Sequence, residues 1–127
     1  MTDHTTSYTS SLRYDGQPTM ANLSKGYADL LPIDTQARKD TPMCTGFLDY
    51  FPLAVAEVAR VSKIGNDQHN PGEPLHWAKE KSTDEADCIV RHLVERGKLD
   101  IDGTRHSAKL AWRAMALLQR ELEEDAT

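Results

Sequence analysis

Apolar side chains are sparse and irregular over residues 1–28, where Thr, Ser, Asp, Asn and Gly dominate and Tyr8, Leu12, Tyr14 and Met20 stand isolated. Such a segment buries too little surface to offset its ordering entropy. The pattern predicts a mobile arm, or one ordered only against a partner subunit. A short apolar patch, Leu30, Leu31, Pro32 and Ile33, and the charged stretch 36–42 make a connector up to residue 45. From Gly46 the texture changes to a dense apolar run that includes Phe47, Leu48, Tyr50, Phe51, Leu53, Val55, Val58, Val61 and Ile64. Pro52 suits a first helical turn, where its missing N–H has no intrahelical partner, and Gly65-Asn66 supplies a stop. A helix over 52–64 follows. The β-branched residues of the run also fit a strand, but Ala54, Ala56, Glu57, Ala59 and Arg60 favour helix.

Residues 65–83 hold two Gly, two Pro and two Asn without helical or alternating apolar period. They read as a long loop, the kind that is functional or disordered, and His69, His76 and Trp77 argue against simple disorder. Ser82-Thr83-Asp84-Glu85 fits a capping box with Ser82 as N-cap, which predicts a second helix over 83–96 ended by Gly97. At about 100° per residue, Ala86, Ile89, Val90 and Leu93 form its apolar face, Asp84, Asp87, Arg91 and Glu95 the opposite one, and Glu85 and His92 a flank between them. After the turn-like 99–103, with Asp102 or Thr104 as N-cap, a third helix spans 105–123. Its apolar arc is wider than one neighbour needs, leaving a polar strip at His106, Lys109, Arg113 and Arg120. The expected fold is all-α: a small bundle of three main helices plus a long loop, completed by a homo-oligomer. Residues 1–45 are the arm and connector, and residues 46–127 the helical domain.

Charge narrows the function. Fifteen Lys plus Arg against twenty Asp plus Glu leave a formal net charge of −5 over 127 residues, without the basic surplus of a duplex nucleic-acid reader. No apolar stretch approaches the roughly 20 residues of a spanning helix, and no signal peptide opens the chain, so a cytoplasmic protein with no membrane partner is expected. Cys44 and Cys88 lie in no CxxC pattern and read as reduced, buried thiols.

Two sets of side chains carry candidate chemistry. Glu57, Asp67, Asp84, Glu85 and Asp87 are hard oxygen donors suited to Mg2+ or Mn2+, and Asp84 and Asp87, three apart, share one side of a helix. The same acids also suit a plain helix start, favoured there by the dipole. Arg91, His92, His106, Lys109 and Arg113, with His69, Asn70 and Trp77 from the loop, offer cations for phosphate oxygens and a flat apolar surface for a base. P-loop, dinucleotide-fold, serine-hydrolase and HExxH motifs are absent, which leaves metal-assisted attack of water on a phosphoryl group.

The residues carry a resemblance. Tyr50-Phe51-Pro52, Val61-Ser62-Lys63-Ile64-Gly65-Asn66-Asp67-Gln68-His69-Asn70-Pro71-Gly72, Pro74-Leu75-His76-Trp77, Asp84-Glu85-Ala86-Asp87, Arg91-His92-Leu93, Asp102-Gly103 and Arg105 to Trp112 together resemble the phage-type dATP/dGTP diphosphohydrolase domain, itself similar to the MazG-like all-α nucleoside triphosphate pyrophosphohydrolases. The likeness spans about residues 46–120. It implies cleavage of a purine deoxynucleoside triphosphate between its α and β phosphates, with Mg2+ or Mn2+ as cofactor, in the cytoplasm, including that of a phage host. Under it Asp84, Glu85, Asp87 and Asp67 hold metal, with Glu85 and Asp87 catalytic. His69, Asn70, Trp77, Arg91, His92, His106 and Lys109 hold the nucleotide. MazG-like sites use E-x-x-E on one helix and E-x-x-D on the next. Here Asp84-x-x-Asp87 matches the second loosely, and Glu57 is followed three residues on by Arg60. The alternative is an oligomer that binds or sequesters nucleotide without cleaving it.

Overall fold

The computed structural model describes residues 31–126; the arm expected over residues 1–28 lies outside them. The described residues are helical, and their only β pairing is an isolated bridge between Leu99 and Arg105. None of their helices is long and apolar enough to cross a membrane. They divide into two compact units, one of residues 31–50 with 121–126 and one of residues 51–120.

In the first unit a short helix, α1 (Thr35–Lys39), is capped by the Asp34 carboxylate, which accepts from the Ala37 N–H at 3.0 Å. Residues 42–46 then fold into a tight loop closed by the Gly46 N–H on the Pro42 carbonyl at 2.7 Å. A Cβ on Gly46 would stand 2.7 Å from that carbonyl oxygen, so glycine is required there by close approach. Cys44, expected in the core, is exposed, because this loop is too short to enclose a side chain; Cys88 is buried as expected.

The second unit holds α2 (Pro52–His69), α3 (Glu85–Val94) and most of α4 (His106–Ala126). Pro52 opens α2 at its first position, but the helix passes through Gly65-Asn66 and ends a full turn later than expected. Gly65 stays on the helical side of φ; the glycines at positive φ are Gly72, Gly97 and Gly103. Termination falls instead at Asn70, driven to φ −132° and ψ 59° beside Pro71, since the residue before proline is disfavoured in the α region. The buried Asn66 explains the extra turn: its Oδ1 accepts from the His76 N–H at 3.3 Å and its Nδ2 donates to the Glu73 carbonyl at 3.2 Å. A helical residue thus holds the loop that follows.

That loop is shorter and better tied than its composition implies. A 3-10 turn spans Lys79–Lys81, and Arg120 of α4 donates to the carbonyls of Ser82 at 2.7 Å and Lys79 at 2.6 Å. The expected capping box takes another form. The helix starts at Glu85 with Asp84 as N-cap and no side-chain cap bond, while the Ser82 hydroxyl donates to the Glu85 carboxylate at 2.7 Å and accepts from Arg113 Nη1 at 2.7 Å. The Arg113 guanidinium and the buried carboxylate draw Ser82 into a side-chain chain of hydrogen bonds and away from the backbone.

The burial of α3 also reverses the expected face. Glu85, Cys88 and His92, spaced three and four apart, are buried, whereas Val90 and Leu93 are 59% and 47% exposed. The reason lies in what the helix packs on. Among the described residues the buried polar set, Asn66, Asn70, Glu85, His92 and Thr104, exceeds the buried apolar set, Ala37, Cys88, Ala108 and Ala116. Polar side chains thus take much of the interior of the second unit, and Val90, Leu93 and Val94 of α3 turn outward. Met115, Leu118 and Leu122 of α4 are likewise exposed, as its wide apolar arc anticipates.

Candidate functional site

A cavity of about 640 Å³ opens within the second unit, walled by the last turns of α2, the loop, α3, the 99–105 turn and the first turns of α4. Six of the seven residues expected to hold a nucleotide line it: His69 and Asn70 from the end of α2, Trp77 from the loop, Arg91 and His92 from α3, and Lys109 from α4. Arg113 joins them. The seventh, His106, stands outside the cavity lining and meets His92 through an Nδ1 to Nδ1 contact of 2.9 Å.

The expected metal set is scattered. Asp84 lines the cavity, with Arg113 at 3.9 Å. Glu85 is buried, bonded to Ser82 and 3.8 Å from Arg120 Nε. Asp87 is exposed and not on the cavity wall, and Asp67 is paired with Lys63 at 2.7 Å on the surface. Glu57 is paired with Arg60 at 2.9 Å.

Among the cavity residues missed from sequence are Asp100, Asp102 and Trp112. The first two read as parts of a turn. Their signal is Lys109, a cation on the polar strip of the next helix, which in the fold reaches back to Asp100 Oδ2 at 2.6 Å and Asp102 Oδ2 at 2.9 Å. The turn itself is fixed by the Asp100 N–H on the Thr104 carbonyl at 2.7 Å and by Gly103 at φ 82°. The Thr104 hydroxyl, donating to Asp102 at 2.7 Å, is the main reason that the Asp102 carboxyl lies far below the usual carboxylate range; Lys109 and Gln68 add to it. Lys109 lowers Asp100 as well. Burial opposes the charge on Lys109, but its two carboxylate partners outweigh that and raise its pKa. His92 is lowered, first by burial and then by the cations Arg91, His106 and Lys109, with Asp100 opposing.

The aromatic wall is a pair. Trp77 and Trp112 meet edge to face with centroids 5.6 Å apart, and Arg113 lies 5.9 Å from the Trp112 ring. The Trp77 Nε1 is buried and has no hydrogen-bond partner among the described residues, which marks this wall as incompletely satisfied. Four cations on the lining, Lys81, Arg91, Lys109 and Arg113, face three carboxylates, Asp84, Asp100 and Asp102. The cavity therefore favours an anion within an acidic chain.

The family model described as dATP/dGTP diphosphohydrolase, N-terminal, matches residues 32–127. The chain belongs to that family. No curated protein and no solved structure matches it. The matched span takes in every residue of the cavity wall. The divalent cation that the resemblance implies finds no oxygen cage in the expected carboxylates: Asp84 alone of the four faces the cavity, and Glu85 and Asp67 are already engaged by Ser82 and Lys63. As a group they do not fit a hard ion in this arrangement.

Proposed function

We propose that the cavity binds a purine deoxynucleoside triphosphate, dATP or dGTP, and that the protein hydrolyses it to monophosphate and pyrophosphate. The observation that supports this most is convergence. His69, Asn70, Trp77, Arg91, His92 and Lys109, chosen for the chemistry of a nucleotide, come from three helices and a loop to one cavity, whose volume is that of a small-molecule site. The Trp77–Trp112 wall offers a face for a purine, and Arg91 and Arg113 offer planar guanidinium forks for phosphate oxygens. Neutralising the charge that builds on the transferring and leaving phosphates is the larger part of phosphoryl-transfer catalysis. The same proposal takes Mg2+ or Mn2+ as cofactor, held otherwise than by the four expected carboxylates as a set, and sets the reaction in the cytoplasm, including that of a phage-infected host.

The second reading, nucleotide binding without cleavage, is favoured by one observation: the expected metal carboxylates do not converge. One assay separates the two. The protein is incubated with each common nucleoside and deoxynucleoside triphosphate and either Mg2+ or Mn2+, and the products are resolved by anion-exchange chromatography. Monophosphate and pyrophosphate from dATP or dGTP, without diphosphate, are expected. Nucleotide that binds by calorimetry yet is recovered intact would establish the binder, and diphosphate with phosphate would overturn cleavage at the α phosphate. Because Asp84 borders the cavity and Asp87 does not, Asp84→Ala is expected to cost at least about tenfold more turnover than Asp87→Ala, a difference of about 1.4 kcal/mol in the barrier.

A further inference from the structure

His92 on α3, Asp100 in the 99–105 turn and His106 at the first position of α4 bring one ligand atom each to within 4.8 Å of one another, and they form the group of this kind among the described residues. Bonds from a first-row dication to imidazole nitrogen and carboxylate oxygen run about 2.0–2.2 Å, so ligand atoms around one ion lie no more than about 4.4 Å apart. The two Nδ1 atoms, at 2.9 Å, already satisfy that limit, and an Asp100 carboxylate oxygen lies within 4.8 Å of a ring nitrogen of each histidine. We propose that His92, Asp100 and His106 form a site for a first-row transition-metal dication, of the Mn2+ to Zn2+ class.

The chemistry of the donors sets the class. Two imidazoles and one carboxylate make an N2O set, suited to Zn2+, Co2+, Ni2+ and Mn2+, whereas Mg2+ and Ca2+ take oxygen shells. Three fixed elements hold the set. The Leu99 to Arg105 bridge and the Asp100 N–H bond to the Thr104 carbonyl return Asp100 toward α4, and the His106 N–H donates to the Lys98 carbonyl at 3.1 Å. The outer contacts are those of a supported ligand: the Ile101 N–H donates to Asp100 Oδ1 at 2.6 Å, and carboxylates so held are the usual partners of a bound metal. Lys109, on Asp100 Oδ2, competes for the same carboxylate and keeps Asp102 when an ion arrives. His92 and Asp100 line the cavity, so an ion held by them would be reached from it. The spacing His92-x7-Asp100-x5-His106 is the sequence form of the site.

The site shares His92 with the nucleotide reading, but its test does not depend on that reading, because ion binding is measured with the metal alone. Apo protein is titrated with Zn2+, Co2+ and Mg2+ by calorimetry. One Zn2+ or Co2+ per chain is expected, with Mg2+ at least about tenfold weaker. His106→Ala and Asp100→Asn should each weaken Zn2+ by more than about tenfold, the scale at which even outer contacts of metal sites are felt. Glu57→Gln, on the surface with Arg60, should leave it unchanged. Circular dichroism confirms that each variant folds. Proton NMR of the wild-type Co2+ complex decides independently of any variant: two hyperfine-shifted, solvent-exchangeable imidazole N–H resonances are expected. Absence of Zn2+ and Co2+ binding, absence of those resonances, or wild-type affinity in folded His106→Ala overturns the site.

Discussion

Lys109 and His92 set opposite responses to pH on the same wall. The folded state lowers His92, through burial and neighbouring cations, so the protein binds fewer protons there than the unfolded chain does. That contribution is fully present above the unfolded value near 6.5 and is lost as the pH falls through the folded one. Asp100 and Asp102 are lowered as well, by Lys109 and by the Thr104 hydroxyl respectively. Their contribution is present above the unfolded carboxylate value of about 3.9 and is lost at more acid pH. A melting temperature that is level near pH 7–8, falls below about pH 6.5 and falls again below about pH 4 is expected from thermal circular dichroism. His92→Gln should remove the first decline and retain the second. At this scale the site was half legible in the sequence. His69, Trp77, Arg91 and His92 announced themselves as cations and rings on a loop and a helix that had to meet. Asp100 and Asp102 did not, because Asp residues just before a Gly are also the ordinary chemistry of a turn, and only the fold shows Lys109 reaching them.

Elements were legible in kind and less so in their ends and faces. All three long helices follow from apolar density, Pro52, Gly97 and the Ala- and Leu-rich last stretch. The end of α2 did not, because Gly65-Asn66 is a stop in most chains. Here the Asn66 side chain is spent on the loop rather than on a cap. This has a direct test. Gly65 sits inside the helix with helical φ, and a Cβ there would meet nothing within 4 Å. Gly65→Ala should therefore stabilise the protein by about 0.5–1 kcal/mol, through helix propensity and lost unfolded-state freedom. A glycine at a left-handed stop would give destabilisation instead, so the sign of the shift in the urea midpoint decides between the two geometries. The face of α3 was illegible for a different reason. Periodicity finds an apolar stripe and assigns it to the interior, but Glu85 and His92 are wanted inside by Arg120, Ser82 and His106.

On the scale of the whole molecule, those polar demands leave apolar surface outside. Val90, Leu93 and Val94 stand on one side of α3, and Leu99 and Ile101 follow in the turn, all exposed. Surface of this composition suits contact with another chain. A second copy of the protein is the proposed occupant, in line with the oligomer expected from the helix arcs. Sedimentation equilibrium should show an assembly larger than one chain, and Val90→Lys with Leu93→Lys should shift it to the monomer while helical circular dichroism is kept, since neither residue is buried in the subunit. A wild-type monomer would remove the interface. The two tryptophans give the molecule one more property. Trp77 and Trp112 are the chain's full complement, and both line the cavity, edge to face and beside the guanidinium of Arg113. Intrinsic emission on excitation of indole therefore comes from the site and from nowhere else. The unlabelled protein is its own optical probe, in which any occupant that parts the rings or displaces that guanidinium changes the whole signal.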